Sequence, residues 1–176
     1  MLRIASFNVN GIRAAQRRGI DAWLERSAMA GLVITGSHDM VTDGADWCLR
    51  CEDWLRSLAE QDLPLLGICL GCQILLDRSE ENDTKTLGIV PGLCRRFDDN
   101  MVEEDGTPAP IPHMGWNSLK ATAPCPLLAG VAPTAEFYFV HSYYVEPDPT
   151  FVIATTTYGK EFCSVYGRDG LWATQF

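Results

Sequence analysis

No run of about 18 apolar residues occurs in the chain, so no transmembrane helix is expected. The N-terminus also lacks the basic, apolar and small-residue sections of a secretory leader. Basic residues are scarce. Lys and Arg number 14 against 23 Asp and Glu, and the formal charge of -9 repels a phosphate backbone over most of the surface. Nucleic acid is therefore not expected as a partner, and Arg13, Arg17 and Arg18 read as one solvated helix face. Histidine is scarcer still, with His38, His113 and His141 alone, so a nucleophile here has few candidate bases. Cysteine is present, but in the odd number of seven and without an export signal. Reduced thiols in a cytoplasmic protein are expected, and each must be core, ligand or nucleophile.

A chain of 176 residues with 47% hydrophobic residues suits one globular domain, residues 1–176. Residues 2–9 read as a strand, followed by a helix carrying Ile12, Ala15, Ile20, Trp23 and Leu24. The apolar run 31–36 reads as a buried strand. Residues 45–61 carry Trp47, Cys51, Trp54, Leu55 and Leu58 at helical spacing, and 63–68 reads as a further buried strand before a short helix over 73–78. Strand and helix thus alternate in the first half, which predicts a parallel sheet covered by helices. The second half is strand-rich, with strands expected over 86–97, 136–145, 151–157, 161–166 and 171–176, and loops over 98–110 and 121–133. No internal repeat or low-complexity tract interrupts the pattern.

Gly67-Ile68-Cys69-Leu70-Gly71 has the form Gly-x-nucleophile-x-Gly between a strand and a helix. The glycines permit a sharp turn that lifts the thiol clear of the sheet. The new helix aims its free N–H groups at the sulfur, which favours a thiolate, and the Leu70 N–H could stabilise an oxyanion. A small buried cysteine at a strand-to-turn junction is the plainer alternative.

The segment Gly67-Ile-Cys-Leu-Gly-Cys-Gln73 resembles the nucleophile segment of class I glutamine amidotransferases, with Cys72 where methionine is usual. Pro112-His-Met-Gly-Trp-Asn117, Phe137-Tyr-Phe-Val-His-Ser-Tyr143 and Trp172-Ala-Thr-Gln-Phe176 resemble, within that family, the glutaminase subunits of imidazole glycerol phosphate synthase, enzymes of histidine biosynthesis. That likeness runs over about residues 63–176. Residues 31–77 look closer to the amidotransferase domains related to GMP synthase. The resemblance implies an α/β, flavodoxin-like fold: a mostly parallel sheet flanked by helices, with an antiparallel extension in the second half. It implies glutamine as substrate and hydrolysis to glutamate and ammonia through a cysteine thioester. By resemblance Cys69 is the nucleophile, Leu70 and Gly36 supply oxyanion N–H groups, and Gln73 with His141, Ser142 and Tyr143 holds glutamine. His113, Met114, Trp116 and Asn117 would face a barrel-shaped synthase subunit that receives the ammonia, although core packing explains Met114 and Trp116 equally well. No cofactor or metal is implied.

In that family the base and its orienting group come from His-x-Glu directly after the strand matching residues 173–176, whereas this sequence ends at Phe176. Turnover on the order of 10⁴-fold or more below that of a complete triad is therefore expected, and a non-catalytic interaction protein on the same fold is the alternative. Residues 1–26 resemble the opening of exonuclease III-type nucleases, with Asn8 at their metal-site position. The next strand ends in Thr35-Gly36-Ser37 where those enzymes need a glutamate, so nuclease activity is not expected. Such a mixture would suit a fused or artificial chain. Finally, Cys48-x-x-Cys51 and Cys69-x-x-Cys72 have the spacing of a four-cysteine zinc site, and the second pair also suits redox chemistry.

Overall fold

The computed structural model describes the backbone of residues 4–8, 31–36 and 64–176, and the side chains of 31–36 and 64–176. The helices expected over 12–24 and 45–61 lie outside the described residues, as do His38, Cys48 and Cys51.

Strands β1 (Ile4–Asn8), β2 (Gly31–Thr35) and β3 (Leu65–Ile68) pair in parallel, and β13 (Leu171–Thr174) joins β3 in parallel as well. The chain must return from the far end of the sequence to supply that fourth strand. From β13 the sheet turns antiparallel through β12 (Lys160–Arg168), β10 (Tyr143–Pro147) and β6 (Gly92–Arg96). It closes on the short strands β4 (Arg78–Ser79) and β5 (Thr84–Lys85), while β11 (Val152–Tyr158) and β8 (Lys120–Ala121) branch from β12. A separate two-stranded sheet pairs β7 (His113–Ser118) with β9 (Glu136–His141). The expected α/β sheet with an antiparallel extension is thus present; among the described residues its single α-helix is α1 (Leu70–Ile74).

The parallel strands are apolar because one face is buried and the other partly so, with Val33 and Leu66 half-buried. Leu32, Ile34 and Leu65 are buried with Leu75, Leu76, Val90, Val145 and Tyr166 in one cluster. A second cluster, Phe97, Phe139, Tyr144 and Phe162, fills the space beneath the β7–β9 sheet. Aromatic edges there meet ring faces, as between Phe97 and Phe162 with centroids 5.3 Å apart at 86°.

Three expectations need correction. The helix expected over 73–78 begins at Leu70 and ends at Ile74, and Arg78 is already in β4. Residues 136–145 form two strands: the chain breaks at Ser142, leaves the small sheet and enters the large one, a change of partner that β-propensity alone does not reveal. Residues 113–117, where the sequence predicts no strand, form part of β7, because β9 supplies a hydrogen-bonding partner 28 positions away from His113.

Candidate active site

The C-terminal ends of β2, β3 and β13 converge, the position at which open α/β sheets present ligand sites. Cys69 directly follows β3 and has φ 53° and ψ -114°. That left-handed backbone is sparsely populated for a residue with a Cβ and stores about 1–3 kcal/mol of strain. The neighbouring bonds hold it: the Cys69 N–H donates to the Thr174 carbonyl at 2.8 Å, and the Cys69 carbonyl accepts from the Cys72 N–H at 2.9 Å.

The glycines of the elbow do a different job from the one expected. A Cβ on Gly71 would lie 2.3 Å from the Ile34 carbonyl oxygen, and one on Gly67 would lie 2.7 Å from the Gly71 oxygen. They allow α1 to pack directly on β2 and β3, while Cys69 itself carries the strained turn. Gly36 lies against the thiol, since a Cβ there would be 3.6 Å from the Cys69 Sγ.

Cys69 is partly exposed, and the Leu70 N–H donates to its sulfur. The expected thiolate is not the resting form. Burial pushes the thiol above its ordinary value, and the Leu70 bond offsets this only in part. A helix of five residues has too few aligned peptides to outweigh desolvation. A reaction at this sulfur therefore needs a proton acceptor.

Gln73 is buried on α1. Its Nε2 donates to the Gln175 Oε1 at 3.1 Å and to the Tyr143 carbonyl at 3.4 Å. The Ser142 carbonyl accepts from the Phe97 N–H at 3.1 Å. The wall beside the elbow is thus built by α1, the Ser142 break and the residue after β13. Tyr166, fully buried, donates its hydroxyl to the Cys72 carbonyl and ties β12 to the same helix.

The model of the family "Glutamine amidotransferase class-I" matches residues 5–176. The chain belongs to that family. This amidotransferase chain is 71% identical over 122 residues to the imidazole glycerol phosphate synthase subunit HisH of Desulfovibrio desulfuricans, a match covering 69% of this chain and 56% of that protein. It is 44% identical to the same-named subunit of Chromobacterium violaceum over 96% of this chain and 82% of that one. The chain spans 56% and 63% of the length of two of its desulfovibrio-type relatives. A glutamine amidotransferase of Thermotoga maritima shares the fold, with a TM-score of 0.64 at 13% identity over 99% of this chain and 75% of that one.

Within this amidotransferase chain the residues expected to face a partner divide. Met114 and Trp116 are 60% and 67% exposed on β7, beside Tyr138 and Val140 of β9, so core packing does not explain them. His113 points the other way. It is 3% exposed, stacked between Phe139 and Tyr158, because alternate residues of a strand face opposite sides. Asn117 shares that inward face and donates to the Thr157 carbonyl at 2.9 Å. Neither belongs to the exposed patch.

His113 and His141 are cross-strand neighbours, with Nδ1 and Nε2 3.2 Å apart, and the His141 Nδ1 lies 2.6 Å from the Tyr143 carbonyl. Both ring nitrogens of each are engaged, so neither is free to serve Cys69 as a base. Burial lowers both imidazoles to about 4. Their unfolded value is about 6.5, so the unfolded chain protonates first as the pH falls. Their contribution to stability is complete above about pH 6.5 and is lost towards about pH 4. The urea midpoint is expected to fall across that window, and replacing both histidines with Asn should remove this part of the dependence.

Cys48 and Cys51, the other half of the zinc spacing, lie outside the described residues. Cys72 is fully buried and donates its Sγ–H to the Gln175 Oε1 at 3.5 Å, away from the partly exposed Cys69. Among the described residues no group of three or more His, Cys, Asp or Glu side chains could hold a metal, and no helix is long and apolar enough to cross a membrane. Gln175 and Tyr166 are the contributors that sequence reasoning missed. Gln175 stood inside a quoted motif, but a lone amide carries no signal until its neighbours are known.

Proposed function

We propose that this chain is a glutamine-hydrolysing amidotransferase unit of the imidazole glycerol phosphate synthase type, one domain over residues 1–176, working in the cytoplasm. The Cys69 sulfur attacks the side-chain amide carbon of glutamine, the C–N bond breaks, and ammonia leaves carrying the thiol proton. Water then cleaves the thioester to glutamate. The Leu70 and Gly36 N–H groups receive the negative oxygen of each tetrahedral intermediate, and Gln73 with the 141–143 backbone holds the substrate. The observation that carries this reading is the strained Cys69 elbow, with the Leu70 N–H on the sulfur and Gly36 against it. Strain stored at the strand-to-helix turn fits a side chain held out for chemistry.

Ammonia passes to a barrel-shaped synthase subunit docked on Met114 and Trp116. Support comes from the four neighbouring apolar side chains left exposed on the β7–β9 sheet. Trp116→Asp is expected to weaken binding of that subunit about 100-fold or more in a calorimetric titration. The melting temperature of the isolated chain should stay within about 2 °C, since surface changes alter stability little. Unchanged binding would remove this face from the interface.

The likeness of residues 31–77 to GMP synthase amidotransferases reflects the shared parallel core and carries no separate activity. Residues 1–26 supply an edge strand, supported by β1 pairing only with β2 among the described strands. Glutamine protection decides the main reading: glutamine should slow alkylation of Cys69, and equal rates with and without it would sink the proposal.

A further inference from the structure

Two acceptor-only carbonyls bracket a line of polar side chains, buried except for the half-buried Asn117. At one end the Thr157 carbonyl accepts from the Asn117 Nδ2 at 2.9 Å, so that amide must present its NH₂ group inward, with the His113 Nε2 3.5 Å away. At the other end the Tyr143 carbonyl takes the His141 Nδ1 at 2.6 Å and the Gln73 Nε2 at 3.4 Å. A carbonyl cannot donate, so His141 carries its proton on Nδ1 and Gln73 presents its NH₂ group.

The remaining protons are then determined. With Nδ1 protonated, the neutral His141 accepts at Nε2, so His113 carries its proton on Nδ1, 3.2 Å away. The His113 Nε2 is left to accept from Asn117. On the other side Gln175 must offer Oε1 to Gln73, and the same oxygen accepts from the Cys72 Sγ. One assignment satisfies every contact from β7 to α1. The assignment leaves the Gln175 Nε2 buried without a partner among the described residues.

We propose that His113 and His141 are positioning residues, a buried relay that sets the amide of Gln73 at the glutamine wall and couples that wall to strand β7 beneath the exposed Trp116 face. The proposal rests on the glutamine-site reading above. With its Nε2 taken by two acceptors, Gln73 has Oε1 as its remaining polar atom for substrate. Movement of β7 displaces His113, and the relay carries the displacement to the Tyr143 carbonyl and to Gln73.

The test uses the full chain with Cys69→Ala, so that glutamine binds without reacting, and ¹⁵N-labelled histidine. Both rings are expected in the Nδ1–H tautomer, and adding glutamine should shift the His113 ring signals as well as those of His141. Two further variants split the relay. His141→Asn keeps a donor near the Nδ1 position for the Tyr143 carbonyl, and should lose less glutamine affinity than a variant without that donor. His141→Gln keeps a group near the Nε2 position for His113 but loses that donor, and should bind about tenfold more weakly. A purely structural pair would lower the melting temperature in both variants without separating their affinities. Equal affinities, an Nε2–H tautomer on either ring, or His113 signals indifferent to bound glutamine would overturn the relay alone. If the Cys69→Ala chain binds no glutamine at all, the glutamine-site reading fails and the relay falls with it.

Discussion

Treated with a γ-glutamyl electrophile, the protein is expected to take one adduct, on Cys69, and the Cys69→Ser variant none. Five free thiols lie among the described residues, so selectivity is a real test. Cys72 is fully buried, and burial raises its thiol far above the usual range; Cys94 and Cys163 are pushed up to about 12 by the same cause. Cys125 is partly exposed but stands in the loop after β8, apart from the elbow. Among the described residues only Cys69 combines exposure, a left-handed backbone and an N–H on its sulfur. Because burial raises this thiol too, the labelling rate should climb with pH and level off above the ordinary thiol value of about 8.5. Adducts spread over several cysteines would mean that the elbow does not present Cys69 for chemistry, and a rate that has levelled off by pH 7 would mean that burial does not raise its thiol.

Gly71→Ala is expected to be the most damaging methyl addition at the elbow. The new Cβ would meet the Ile34 carbonyl oxygen at 2.3 Å and its carbon at 3.0 Å. Both are backbone atoms of an inner parallel strand, which cannot turn aside as a side chain could. Either α1 lifts from β2 or β2 bends, and each opens the cluster around Ile34, Cys72 and Leu75. A loss of about 3 kcal/mol or more follows, near the upper end of overpacking effects, which in a chain of this size lowers the melting temperature by about 6–12 °C. Gly106→Ala is the control: nothing lies within 4 Å of its Cβ, and its φ of 83° leaves only a backbone penalty of about 1–2 kcal/mol. Thermal unfolding compares the two, and loss of Cys69 labelling in Gly71→Ala reports the elbow directly. A Gly71→Ala protein that melts with the parent and is labelled at the same rate would mean that α1 does not pack as described.

Much of the site was legible before any coordinates. The pattern Gly67-x-Cys69-x-Gly71 between an apolar run and a helix marked the elbow because its spacing is dictated locally: a strand must end, a thiol must stand clear and a helix must start within five residues. The apolar runs at 31–36 and 63–68 marked inner parallel strands for a similar reason, since a strand buried on one face and partly buried on the other keeps no polar alternation. The electrostatics were not legible. Helix-end logic favoured a thiolate, yet the balance at Cys69 is set by how much protein surrounds the sulfur, and no local spacing encodes that.

The sequence by itself determined which residues could do chemistry and which segments would be strands, because residue type and periodicity act over a few neighbours. Tertiary structure alone decided which faces those strands present and which distant groups meet. His113 and Trp116 are three residues apart in one strand, and only the pairing of β7 with β9 over the aromatic cluster sends one inward to His141 and the other out to solvent. Gln175 reaches Gln73 across 102 positions because β13 returns beside β3. Contacts of that kind follow from how the sheet closes, through burial summed over the whole core.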